Sequence, residues 1–190
     1  MFAQNGITMR VIHTELPEVL VLEPKVFRDD RGFFLESYNQ KTLAEVAGIT
    51  AQFVQDNHSR STQNVLRGLH YQVKQPQGKL IRVISGTIFD VAVDIRWNSP
   101  RFGKWTGFYL SDENQHLAWI PPGFAHGFLV ISKTAEVLYK ATDFYAPECE
   151  RSILWNDPKI GIDWPLLKGV SPILSAKDQK GTELDHAELY

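Results

Sequence analysis

Cysteine is almost missing from this chain: Cys149 stands alone among 190 residues. One thiol forms no internal disulfide and builds no multi-cysteine zinc site, so both scaffolds are excluded. Long apolar runs are missing as well. No stretch of 18 or more apolar residues exists, so no segment reads as a membrane-spanning helix. An excess of one charge is also lacking, since 22 acidic and 20 basic side chains leave a formal net charge of −2. The two signs are interspersed, and the clustered Lys and Arg of a nucleic-acid surface are not there. An anionic small molecule is not excluded, because one cleft can be basic on a near-neutral protein. Repeats and low-complexity segments are absent. The opening residues, Met1 to Gly6, carry no basic stretch followed by an apolar one, so no secretory leader is expected and a cytosolic address is.

What the chain does have is apolar and aromatic material. Hydrophobic residues make up 43% and aromatic residues 12%, with five Trp and eleven Phe. A chain of this length can bury roughly 70% of its unfolded surface. A single domain over residues 1–190 is expected, with residues 181–190 polar and loose.

The helical signal is confined to one place. Asn39 offers an N-cap, Leu43, Val46 and Ala47 fall at i, i+3 and i+4, and Gly48 sits where a C′ glycine belongs. Beyond it the chain reads as strands. Phe89, Val91, Val93 and Ile95 alternate with Asp90, Ala92, Asp94 and Arg96, which predicts one dry and one wet face. Gly86 separates this run from residues 80–84. Further runs cover residues 106–110, 116–120, 127–131 and 135–142, divided by turn clusters such as Pro121-Pro122-Gly123. Many short strands at this spacing predict an antiparallel sandwich or barrel, for which a jelly roll is one solution. From Asn156 onward periodicity fades, and an irregular C-terminal segment packing on the barrel is expected.

Four stretches concentrate chemistry. They are Arg67-Gly68-Leu69-His70-Tyr71-Gln72 with Lys79 beyond it, residues 119–128 around His126, the pair Tyr139-Lys140, and Leu174-Ser175-Ala176-Lys177-Asp178. A metal site is tested first. Cupin-type barrels hold a metal with His-x-His, a nearby Glu and a distant His. Here Gln72 stands where the second imidazole belongs, and no Glu follows among residues 73–79. His70 and His126 alone make a poor set for first-row metals. The barrel pattern is cupin-like without the metal ligands.

Acid–base chemistry is the reading left. His70 titrates near neutrality and suits a general base, best with a carboxylate on its other ring nitrogen. Asp178 is a candidate for that partner, and Asp56, Asp90 and Asp94 compete with it. Tyr139 shares a face with Ala135, Val137 and Ala141, which predicts a ring on the dry side. Lys79 offers a point charge for an oxyanion.

These runs, with Asp90-Val91-Ala92-Val93-Asp94-Ile95-Arg96, Ser99-Pro100-Arg101-Phe102-Gly103 and Trp155-Asn156-Asp157-Pro158, resemble the dTDP-4-dehydrorhamnose 3,5-epimerase family from about Val21 to Asp178. Asn64 stands where the family has Gly, in a likely-shaped turn that tolerates left-handed φ for Asn. The resemblance implies a metal-free, cofactor-free, cupin-like jelly roll that forms homodimers in the cytoplasm. It implies action on dTDP-4-dehydro-6-deoxy-D-glucose to give dTDP-4-dehydro-L-rhamnose for cell-surface polysaccharides or other glycosides. Carried over residue by residue, it makes His70 the base, Asp178 its partner, Tyr139 the proton donor and Lys79 the enolate stabiliser. It makes Arg31, Glu36, Gln55, Asn57, Arg67, His126, Glu150 and Lys177 substrate contacts, with Glu148 competing for the place of Glu150. Phe27, Phe33, Phe34 and Tyr145 are the rings available to stack on thymine. The same scaffold also suits an epimerase acting only at C3 or C5, a 3,4-ketoisomerase, or a non-catalytic nucleotide-sugar binder.

Overall fold

The computed structural model describes residues 9–189. In chain order the elements are β1 (Met9–His13), β2 (Leu20–Pro24), β3 (Val26–Asp29), β4 (Gly32–Leu35), α1 (Gln40–Ala47), β5 (Gln55–Thr62), β6 (Leu66–Gln72), β7 (Lys79–Ser85), β8 (Thr87–Asp94), β9 (Trp105–Ser111), β10 (Leu117–Ile120), β11 (Phe124–Val130), β12 (Thr134–Ala141) and β13 (Glu150–Ser152). One sheet runs β1-β2-β10-β7-β12-β5 and the other β13-β6-β11-β8-β9, while β3 and β4 form a separate hairpin. The expected all-β, cupin-like jelly roll is the architecture found.

Three apolar layers hold it together. Between the sheets lie Ile81, Val83, Ile88, Ala92, Ala118, Ile120, Phe128, Val130 and Val137. On the outer face of the five-stranded sheet, Val91, Val93, Leu66, Leu69 and Leu129 meet Ile153, Ile160, Trp164 and Leu184 of the C-terminal segment. On the outer face of the six-stranded sheet, Leu22, Leu80, Leu117 and Trp119 meet Leu43 of α1 and Ile49. Each such side chain, once buried, contributes about 1.5–3 kcal/mol.

Helix α1 forms where its caps place it. Asn39 Oδ1 accepts from the Lys41 and Thr42 N–H groups at 3.0 and 3.2 Å, a cap worth about 1 kcal/mol. Gly48, at φ 67°, closes the other end. Leu43 is buried and Ala47 packs on the same layer, whereas Val46 faces solvent.

Two expectations need correction. The wet face read into β8 is not wet: Asp90, Ala92 and Asp94 are all 0% exposed. The strand is central and covered on both sides, so the alternation separates two interiors, with the polar residues pointing between the sheets. Their charges are met there, Asp94 by Arg96 at 2.6 Å and Asp90 by His126 at 2.9 Å. The end of the chain is not loose either. Leu184 is 1% exposed, its N–H donates to Asp157 Oδ2 at 2.7 Å, and the Tyr71 hydroxyl donates to the Glu188 carbonyl at 2.7 Å. The polar composition of residues 181–189 hides one apolar anchor and a set of backbone hydrogen bonds. Tyr190 and residues 1–8 lie outside the described residues.

Candidate active site

A break in strand register builds the site. Strands β6 and β11 pair antiparallel, with His126 opposite His70 and Phe128 opposite Arg67. One residue, Gly127, fills the gap on β11, but two, Gly68 and Leu69, fill it on β6. The extra residue is a β-bulge. In a regular strand Arg67 and His70, an odd number apart, would face opposite ways. The bulge brings both onto the inner face and leaves Leu66 and Leu69 together on the outer one. Glycine is required where the strands cross closest. A Cβ on Gly68 would stand 2.6 Å from Gly127 Cα, and Gly68 has φ 123°.

The inner face opens on a cavity of about 330 Å³. Arg67, His70, His126 and Phe128 line it from the five-stranded sheet, with Glu150 at the edge. Gln55, Asn57, Ser59, Lys79 and Tyr139 line it from the six-stranded sheet, and Gln77 and Tyr145 close it from loops. One wall thus faces another.

On the first wall, His70 Nε2 lies 2.6 Å from Asp178 Oδ1. Asp178 comes from the C-terminal segment, where Ser175 Oγ donates to its Oδ2 at 2.7 Å. Burial alone would raise the Asp178 carboxyl, but hydrogen bonds from His70 and Ser175 outweigh it and hold the group below its usual range. The carboxylate fixes a proton on Nε2 and leaves Nδ1 as the basic nitrogen. Burial is the main force on His70 and lowers its pKa, Asp178 opposing and Lys177 adding to the fall. The competing aspartates are engaged elsewhere: Asp56 with Lys140, Asp90 with His126, Asp94 with Arg96.

On the second wall, Tyr139 packs against the layer between the sheets, as the apolar face of β12 predicts. Burial first, and the Glu150 charge second, push its phenol above the ordinary tyrosine value, so it keeps its proton. Lys79, next to it in the cavity, has Nζ 3.5 Å from the His70 carbonyl. The side chain is partly exposed at the cavity, yet burial of the ammonium pulls it down to about 8, with Glu150 and Asp90 resisting.

Glu150, not Glu148, reaches the cavity. It accepts from the Tyr145 hydroxyl at 2.7 Å and pairs with Lys177. Burial would raise this carboxyl, but those two partners hold it low. Lys177 therefore stands at the rim. Gln55 donates to Asn57 Oδ1 at 2.9 Å, and Arg67 Nε donates to Ser61 Oγ at 3.0 Å. Of the four candidate rings, Tyr145 alone lines the cavity, and Phe27, Phe33 and Phe34 sit on the β3–β4 hairpin.

Two expected contacts are not brought to this cavity within one chain. Arg31 is held by Asp29 at 2.5 Å at the exposed end of the β3–β4 hairpin. Glu36 accepts from Asn39 and Thr42 before α1. The hairpin leaves the sandwich, so sequence proximity to it carries no proximity to His70. Conversely, Ser59, Gln77 and Phe128 line the cavity unannounced. Ser59 was findable, because Gln55, Asn57, Ser59 and Ser61 repeat at period two. Among the described residues, no three His, Cys, Asp or Glu side chains converge as a metal would need.

As a class, this is a cupin-like jelly roll with proton-transfer groups on facing walls of one cavity. The profile of dTDP-4-dehydrorhamnose 3,5-epimerase matches residues 13–186. The dTDP-4-dehydrorhamnose 3,5-epimerase of Salmonella typhimurium is 59% identical over 182 residues, covering 95% of this chain and 98% of that one. Its counterpart in Pseudomonas aeruginosa is 56% identical over 182 residues, covering 96% and 99%. A crystal structure of dTDP-6-deoxy-D-glucose-3,5-epimerase from Legionella pneumophila, in complex with dTDP-4-keto-L-rhamnose, superposes with a TM-score of 0.91 at 52% identity over 95% of both chains. This chain belongs to the dTDP-4-dehydrorhamnose 3,5-epimerase family.

Proposed function

We propose that the chain converts dTDP-4-dehydro-6-deoxy-D-glucose into dTDP-4-dehydro-L-rhamnose by proton removal and return beside the C4 ketone, with no metal or cofactor taking part. The observation that carries this reading is the His70–Asp178 pair facing Tyr139 across one cavity. The ketone acidifies the C–H bonds at C3 and C5. His70 Nδ1 takes a proton, the C–H electron pair moves into the enolate, and charge gathers on O4. The Lys79 ammonium stabilises that charge in a site already organised for it. Tyr139 returns a proton from the other wall, which inverts the carbon. Each acid–base group of this kind supplies about 10²–10⁴-fold.

Arg67 suits the diphosphate, since a guanidinium matches phosphate oxygens bidentately. His126, Gln55, Asn57, Glu150 and Lys177 complete the sugar and nucleotide contacts, and Tyr145 offers its face to thymine.

A homodimer belongs to the same proposal. Arg31 and Glu36 match nucleotide-contacting positions yet stand away from their own cavity, on or beside a hairpin whose Phe33 and Phe34 are 52% and 62% exposed. A second copy gives that hairpin a cavity to reach, and sedimentation should show two chains. A cytosolic site of action goes with this reading, in keeping with a free, buried Cys149.

Activity should follow a bell in pH. The base works only when neutral, so kcat/KM falls on acidification through a value below the ordinary histidine pKa of about 6.5. The cation works only when protonated, so kcat/KM falls again on the alkaline side near 8. In Lys79→Arg the charge persists to far higher pH, and the alkaline limb should vanish from the accessible range. An unmoved limb would detach Lys79 from it.

The reading itself is tested by incubating the purified chain with dTDP-4-dehydro-6-deoxy-D-glucose and following ring proton couplings by NMR. Inversion at C3 and C5 is expected. Inversion at one carbon would make the chain a single-site epimerase, and none would make it a binder.

A further inference from the structure

Two imidazoles, not one, face the cavity, and each is backed by a carboxylate. His70 and His126 are direct cross-strand partners on β6 and β11. Such partners leave one face of the sheet with Cβ atoms about 4.5–5.5 Å apart. His70 Nε2 meets Asp178 at 2.6 Å, and His126 Nε2 meets Asp90 at 2.9 Å. The second carboxylate is the more deeply set: Asp90 is 0% exposed, and its Oδ1 has no hydrogen-bond partner among the described residues. A buried carboxylate with one oxygen unmet is costly, and packing alone would favour an apolar residue there. What Asp90 does is fix the proton of His126 on Nε2, which leaves Nδ1 as a basic nitrogen on the same wall as that of His70.

The substrate has two carbons to invert. In a gluco-configured ring, H3 and H5 are both axial on one face, on either side of C4. One base serving both must reach across the ketone twice. Two bases side by side need not move. Resting on the double-epimerase reading above, we propose that His126, held by Asp90, is the base for one of these carbons and His70 the base for the other. At its carbon, His126 Nδ1 takes the proton, and the C–H electron pair becomes the enolate with its charge on O4 beside Lys79. The carbon takes a new proton from the opposite wall, and the imidazolium gives its proton to solvent. Asp90 is a positioning residue in this scheme, acting through His126.

Deuterium entry at C3 and C5 of dTDP-4-dehydro-6-deoxy-D-glucose in D₂O separates the two bases. The wild-type chain comes first. Entry at fewer than two carbons there would sink the double-epimerase reading itself, before any variant is read. Given two, His126→Asn and His126→Gln should slow entry at one carbon by about 10²-fold or more and spare the other. Asp90→Asn should slow the same carbon with an unchanged KM, and His70→Asn should slow the other carbon. Thermal melting and dTDP binding close to wild type would show that the variants are folded. His126 variants that slow both carbons equally, or neither, would overturn the proposal and return His126 to a binding role.

Discussion

His70→Asn should reduce formation of the doubly inverted product by about 10²–10⁴-fold while dTDP affinity changes by less than tenfold, which is about 1.4 kcal/mol. Asparagine fills a similar space and still donates toward Asp178, so the local packing survives. What it lacks is a nitrogen that takes a proton. The contact from His70 to Asp178 is only 2.6 Å, and Asp178 is buried and held again by Ser175, so the pair is a fixed device and not a surface encounter. Steady-state turnover and dTDP titration of the same variant check this. A loss of dTDP affinity beyond tenfold would assign His70 to nucleotide placement instead.

Tyr139→Phe should separate two events that the intact enzyme joins. The phenylalanine ring keeps the packing between the sheets, where Tyr139 sits against the buried layer. Only the hydroxyl is lost. Proton removal belongs to the opposite wall, so exchange of substrate protons with solvent should persist. Inversion needs a proton from the Tyr139 side, and it should fall by about 10²–10⁴-fold. Comparing exchange with inversion in one NMR series reads both. Equal loss of the two would remove Tyr139 from the donor role.

How much of this could be read before the fold is best judged residue by residue. The strands from Leu80 to Ala141 announce themselves, because β-branched and apolar residues alternate between glycine and proline turns. Strand β5 does not, since Gln55 to Thr62 is polar throughout. Its inward positions face a ligand cavity and not a core, so the apolar half of the alternation is missing. The bulge at Gly68 is equally silent, because a sequence shows spacing and not register. A regular strand would have sent Arg67 and His70 to opposite faces. Asp178 is 108 residues from His70, and no local pattern chooses it over Asp56, Asp90 or Asp94. Only the fold, by giving each of those three another partner, makes the choice. The wet face assigned to β8 failed because alternation reports polarity and not exposure. Arg31 and Glu36 failed to reach the cavity because their hairpin departs from the sandwich.

The central claim is metal-free proton transfer at two carbons of one nucleotide sugar. Its most direct test is proton NMR of dTDP-4-dehydro-6-deoxy-D-glucose in D₂O, with EDTA throughout and a control without the protein. Deuterium entering both C3 and C5 above that control, undiminished by the chelator, is the predicted result. Exchange that EDTA abolishes, or no exchange at either carbon, would contradict it and withdraw the roles given to His70 and Tyr139.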